Sequence, residues 1–214
     1  MRAKQEDKAP QIKLIVTGSI NVGKTCLITH YQSGKFLDET ESTCGSSYVQ
    51  VKRTVNGNVY NVNLWDTAGQ EKYNSLTKIF SKNTNILIMV YSIIDKKSFD
   101  DLDKWLSLVK ETNEESALTI GIAANKADRY KESVVSDSDG QEYAKKIGAI
   151  WKSTSAKDGR GIEELIGELL KKHVDKSQNS QNKNFIQLDE KAINQEGGKG
   201  GGCCKGKGKA KNAN

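Results

Sequence analysis

The sequence predicts an α/β domain: a mostly parallel six-stranded sheet with one antiparallel hairpin pair and helices on both faces. Three observations predict it. Short apolar runs alternate with segments of helical period through residues 11–174, the pattern of strand–helix–strand units whose sheet is covered on both sides. The first apolar run ends in a glycine-rich turn that opens directly into a helix-like segment. Asn56-Gly57, lying between two alternating runs, is the strongest short hairpin signal a sequence carries.

In order along the chain, Gln11–Thr17 has the apolar core LIV of a buried strand, and KTCLITHYQSGK after it reads as a helix closed by Gly34. In YVQVKRTVNGNVYNVNLWD, Tyr60, Val62 and Leu64 alternate with Asn61 and Asn63, so an antiparallel pair is expected there. NILIMVYS is a buried strand, and SFDDLDKWLSLVKE a helix with Ser98 as its N-cap. ALTIGIAA is a strand, SDSDGQEYAKKIG a helix, AIWKSTS the last strand and GIEELIGELLKKH an amphipathic helix. No internal repeat is visible.

Residues 1–10 are expected to be a flexible arm, and 11–174 the folded domain. From Asp175 on, the chain is polar, glycine-rich and without sustained period, so 175–214 is expected to be a disordered tail. No apolar run reaches the ~18 residues of a membrane span. MRAKQEDKAPQ has no apolar segment of a secretory signal, and Arg2 stands where N-myristoylation needs glycine, so a cytosolic protein is expected. The four cysteines form no disulfide framework, and the adjacent pair Cys203-Cys204 is instead an acylation candidate. The net charge is +6, but the lysines are spread and no aromatics interleave with the basic end, so nucleic acid is not an expected partner.

In a sheet of this kind ligands bind beyond the carboxyl ends of the strands, where all the candidate motifs fall. Gly18-Ser19-Ile20-Asn21-Val22-Gly23-Lys24-Thr25, running into Cys26, follows a strand and opens a helix. Its glycines let backbone N–H groups curl around phosphate oxygens at a helix N-terminus, Lys24 reaches the outer phosphates, and the Thr25 hydroxyl can meet Mg²⁺. WDTAGQE ends a neighbouring strand. There Asp66 can hold the metal through water, Gly69 can approach the terminal phosphate, and Gln70 can orient an attacking water. Asn125-Lys126-Ala127-Asp128 stands at the end of the second strand after Asp66, following the apolar run LTIGIAA. The Asp128 carboxylate can accept from two adjacent donors on a base edge, which guanine offers and adenine does not, and the Lys126 stem can lie across a ring. In Ser155-Ala156-Lys157 the Ala156 N–H suits a guanine carbonyl oxygen.

These four motifs, in this order, resemble the Ras superfamily of small GTPases with its P-loop NTPase fold. WDTAGQEKYNSL, ESTCGSSY and the cysteine pair resemble the Rab family, with a flavour of its endosomal branch. The resemblance implies that Thr43 meets both Mg²⁺ and the terminal phosphate, and that Phe36 packs against the guanine. It further implies slow intrinsic hydrolysis of GTP to GDP, with Gln70, Lys24 and Thr43 as the catalytic set. An exchange factor, a GTPase-activating protein, effectors and an escort protein would be the partners. The location implied is peripheral, on the cytosolic face of endomembranes, in vesicle trafficking.

The sequence departs from the Rab pattern in places. Ile20 brings a branched side chain, stiff at χ1, to a position where the resemblance implies a small residue. Either it crowds Gln70 or an incoming arginine and slows hydrolysis, or it folds onto its own neighbours. Cys44 and Ser47 stand where the family keeps isoleucine and an acidic residue, and Phe80-Ser81 where paired tyrosines are common. Ten residues follow Cys204, so prenylation, palmitoylation and no modification all remain open. Two other readings stay open here: a GTP-binding scaffold without effective hydrolysis, and a P-loop kinase or ATPase, for which Asn125–Asp128 has no purpose.

Overall fold

The computed structural model describes residues 9–36, 43, 46–69 and 73–196, with Asn74, Glu115 and 180–196 described by backbone alone. Strand β1 (Gln11–Thr17) turns through the glycine loop into helix α1 (Lys24–Ser33). Strands β2 (Ser46–Val55) and β3 (Asn58–Thr67) form the antiparallel hairpin. Its two-residue turn has Asn56 at φ 49° and Gly57 at φ 78°, both left-handed, as the right-handed twist of paired strands requires. Then come α2 (Asn74–Ser81), β4 (Ile86–Ser92), α3 (Lys96–Asp100), α4 (Leu102–Lys110), β5 (Thr119–Asn125), α5 (Asp137–Lys146), β6 (Ile150–Ser153) and α6 (Ile162–Glu196).

The six strands lie in the order β2-β3-β1-β4-β5-β6, and every pair but β2–β3 is parallel. This is the predicted fold class. Both faces are covered because neighbouring residues of β1 point to opposite cores. Leu14 and Val16 pack with Leu27, Leu165 and Leu169 on one side, while Ile15 packs with Leu87, Trp105 and Val109 on the other. Burial on both faces explains why β4 and β5 read as continuous apolar runs rather than alternating ones.

Three elements differ from expectation. Helix α2 was not expected, since eight residues are marginal as an isolated helix. Tertiary contacts hold its end: Asn113 Nδ2 donates to Ser81 O at 2.7 Å, Ser81 Oγ shares a 2.8 Å bond with Thr112 Oγ1, and Lys78 pairs with Glu111. The cap before α3 is Asp95, whose carboxylate accepts from the Lys97 and Ser98 amides. Ser98, expected to be the N-cap, is buried inside that helix and its Oγ accepts from Ser92 N. Helix α6 was expected to end at His173 and to be followed by an unstructured tail, but it runs 35 residues to Glu196. No glycine or proline interrupts residues 168–196, and the first breakers are Gly197-Gly198. The chain divides after Asp175 into two compact units.

Candidate functional site

The glycine loop is shaped by contacts that only glycine permits. A Cβ on Gly18 would sit 2.2 Å from Val90 O, and one on Gly23 would sit 2.5 Å from Asn125 Nδ2; both backbones are at positive φ, as is Asn21 at 59°. Gly23 caps α1 with no side-chain hydrogen bond among the described residues. The helix therefore presents its first-turn N–H groups, and the positive end of its dipole, to the loop. Lys24 is 6% exposed, and its Nζ donates to the carbonyls of Gly18 and Ser19 at 2.9 Å each. Burial pulls its pKa down to about 8, partly offset by the Asp66 charge, and an anion in the loop would favour the charged form further. Across the loop, a Cβ on Gly69 would lie 2.5 Å from both Lys24 Nζ and Ser19 O and 2.6 Å from Ile20 N. The backbone at the end of β3 thus closes directly on the phosphate loop.

Three expected metal residues meet at this point. Thr25 Oγ1 donates to Asp66 Oδ2 at 2.6 Å, Thr43 Oγ1 donates to the same oxygen at 3.1 Å, and the two hydroxyls are 2.9 Å apart. Asp66 is 1% exposed, and its Oδ1 has no hydrogen-bond partner among the described residues. Burial raises its pKa, against the hydrogen bond from Thr25, the Lys24 charge and the bond from Thr43. An orphaned buried carboxylate oxygen beside two hydroxyls is a hard, oxygen-only donor set, and it fits Mg²⁺ completed by phosphate oxygens. Among the described residues no cluster of three or more His, Cys, Asp or Glu offers a competing metal site.

Beside the loop lies a cavity of about 450 Å³ lined by Asn21, Gly23, Cys26, Phe36, Asn125, Lys126, Asp128, Arg129, Ala156 and Lys157. Lys126, at φ 66°, turns the chain out of β5 so that Asp128 faces the last loop, where its Oδ1 accepts from Ser155 Oγ at 2.8 Å. Asn125 is 1% exposed and works as a bracket. Its Nδ2 donates to Val22 O at 2.7 Å, and its Oδ1 accepts from Ala156 N at 3.0 Å and Thr154 Oγ1 at 3.4 Å. The Ala156 N–H, expected to face a carbonyl oxygen of the base, is therefore engaged inside the protein. Its carbonyl is held too, by His30 Nδ1 at 3.0 Å.

Sequence reasoning missed Arg129, which lines the cavity, and His30, which ties α1 to the base loop. Arg129 directly follows Asp128, and that adjacency was the available signal. His30 had none, because its partner is 126 residues away. Ile20 is 42% exposed. Gln70, Cys44, Cys203 and Cys204 lie outside the described residues. Phe80 keeps an aromatic role, stacking on Trp65 at 5.6 Å, and Tyr48 meets Trp65 edge-on at 5.1 Å.

Comparison with known proteins accounts for this arrangement. A family profile described as the Ras family matches residues 13–175. The human Ras-related protein Rab-21 is 35% identical over 173 residues, 80% of this chain and 76% of the relative. Ras-related protein Rab-5A of Dictyostelium discoideum is 34% identical over 168 residues, 78% of this chain and 82% of the relative. Ras-related protein Rab-26 of Rattus norvegicus is 31% identical over 194 residues, 90% of this chain and 74% of the relative. With its glycine loop, its Thr25–Thr43–Asp66 cluster and its Asn125 bracket all inside the matched span, the chain belongs to the Ras family and is a Rab-like small GTPase.

Proposed function

We propose that the chain is a Rab-type switch in membrane trafficking that binds GTP and GDP with Mg²⁺ and hydrolyses GTP. One observation carries the reading: Lys24 and Thr25, Thr43, and Asp66 with Gly69, drawn from three separate segments, converge at one glycine loop whose helix has no side-chain cap among the described residues. Lys24 and the loop amides stabilise phosphate charge, more strongly for being buried. Thr25, Thr43 and the Asp66 carboxylate, directly or through water, would hold Mg²⁺, which when bound offsets the charge of the β- and γ-phosphates. Gln70 orients the attacking water. Asp128, held by Ser155, selects guanine, Lys126 and Phe36 flank the ring, and Asn125 holds the two loops in register. Because Thr43 and Gly69 both contact the phosphate loop, loss of the terminal phosphate releases both segments, and partners read the nucleotide as shape.

An exchange factor, an activating protein, effectors and an escort protein follow from this switch. The partly exposed aromatic row Tyr48–Trp65–Phe80 beside α2 supports an effector face there. Membrane attachment is proposed through Cys203 and Cys204, helped by the lysines after them, with the cytosolic face of endomembranes as the location. Among the described residues no helix is long and apolar enough to cross a membrane. The deciding experiment is chromatography of nucleotide released from the purified protein, followed by single-turnover hydrolysis with Mg²⁺. Bound GDP or GTP is expected, with guanine preference lost in Asp128→Ala; an empty protein, or one that ATP loads equally well, overturns the reading.

A second reading, a GTP-binding scaffold with impaired hydrolysis, is favoured by the exposure of Ile20 beside Gly69. Ile20→Ser is the comparison for it. Equal single-turnover rates, with and without an activating protein, remove that reading.

A further inference from the structure

Ser19, the second residue of the phosphate loop, is anchored outside the loop. Its Oγ donates to Asp101 Oδ2 at 3.0 Å and accepts from the indole N–H of Trp105 at 3.3 Å. The senses are fixed, because a carboxylate only accepts, an indole only donates, and a hydroxyl has a single proton to give. Asp101 stands at the junction of α3 and α4 in helical conformation, φ −75° and ψ −3°, closing the first helix and opening the second. The extended N-caps Asp95 and Ser136 accept from amides of their own first turns. Asp101 makes no such bond among the described residues, and its carboxylate reaches across to the loop instead.

The far end of this contact cannot drift. Trp105 is 1% exposed and Leu102 fully buried, so the start of α4 is fixed in the core. The near end is the phosphate site itself. The carbonyl of Ser19 accepts from Lys24 Nζ at 2.9 Å, and the Ser19–Ile20 peptide is the piece of loop that Gly69 approaches. A displacement of Ser19 therefore moves both a carbonyl that orients the buried ammonium and the amide beside it.

We propose that Asp101 is a positioning residue for the phosphate loop, acting through the Ser19 hydroxyl with Trp105 as second anchor, and that it slows nucleotide release. The proposal rests on the nucleotide site described above. Its test is the dissociation rate of fluorescent GDP from the full chain in Mg²⁺. Asp101→Ala is expected to release GDP about tenfold faster, the loss of one charge-assisted hydrogen bond. Asp101→Asn keeps an acceptor for Ser19 and is expected to stay within about threefold of the unsubstituted protein. The discriminating measurement is a cycle. Ser19→Ala speeds release by itself, and adding Asp101→Ala to it changes the rate by less than about twofold, because both remove the same bond. A residue that merely capped its helix would instead multiply the two effects.

Multiplying effects, or an unchanged rate in Asp101→Ala, overturns the proposal. If Asp101→Ala does not fold, Ser19→Ala decides alone, and GDP release at the unsubstituted rate sinks the idea. Failure of the unsubstituted protein to hold GDP at all counts against the proposed function, whereas retained GDP with insensitive variants counts against the Asp101 contact only.

Discussion

Replacing Asn125 by alanine tests whether one side chain couples the phosphate loop to the base loop. The substitution removes three hydrogen bonds, and two of the groups left behind are backbone: Val22 O, on a fully buried residue, and Ala156 N, on one that is 5% exposed. An unsatisfied buried group costs about 1–3 kcal/mol, so the pair implies a loss of about 2–6 kcal/mol, with the small cavity adding to it. Against a typical domain stability of about 5–15 kcal/mol that is a large fraction. The assay is urea denaturation of nucleotide-free and GDP-saturated protein, with GDP dissociation measured on the same samples. A loss below about 1 kcal/mol would mean that solvent or a relaxed loop satisfies both groups, and the bracket would not be a structural necessity. A large loss of stability with unchanged GDP release would refute the coupling between the two loops, because a displaced Ala156 could not leave base contact intact.

Asp66→Asn keeps an acceptor for Thr25 and Thr43 while removing a buried carboxylate charge, so nucleotide-free stability is expected to hold or rise as GDP retention loses its sensitivity to EDTA; calorimetry with and without chelator reads both. Gly69→Ala inserts a methyl against Lys24 Nζ and the Ser19–Ile20 peptide, so GTP-dependent closure should be lost with GDP binding retained, as limited proteolysis in the two nucleotides would report. Gly23→Ala combines φ 94° with a clash at Asn125 Nδ2 and should cost about 1–3 kcal/mol or more in a denaturation curve. The Ser136 amide and hydroxyl, which donate to Asp139, hold that carboxyl below its usual pKa, so its contribution to α5 is present above the unfolded value and lost as the pH falls below it. Ser136→Ala should flatten that acid limb of the stability profile.

Much of the molecule follows from local preference. The alternation of apolar runs with helical periods determines which segments become strands and helices. Asn56-Gly57 determines the hairpin, and a glycine loop between β1 and α1 determines where phosphate chemistry can occur, because each signal acts through the backbone of a few adjacent residues. Thr25, Asp66, Gly69 and Asp128 were legible for the same reason, since they sit at strand ends where a parallel sheet collects its ligands. Thr43 and Phe36 were legible only through family resemblance. Tertiary structure decided the rest: the bracket of Asn125 on Val22, the engagement of Ala156 N, the reach of Asp101 to Ser19 and the existence of α2. These depend on which donor meets which acceptor after the sheet assembles, over separations of 103 residues for Asn125 and 82 for Ser19, and no periodicity or turn preference carries information across such a distance.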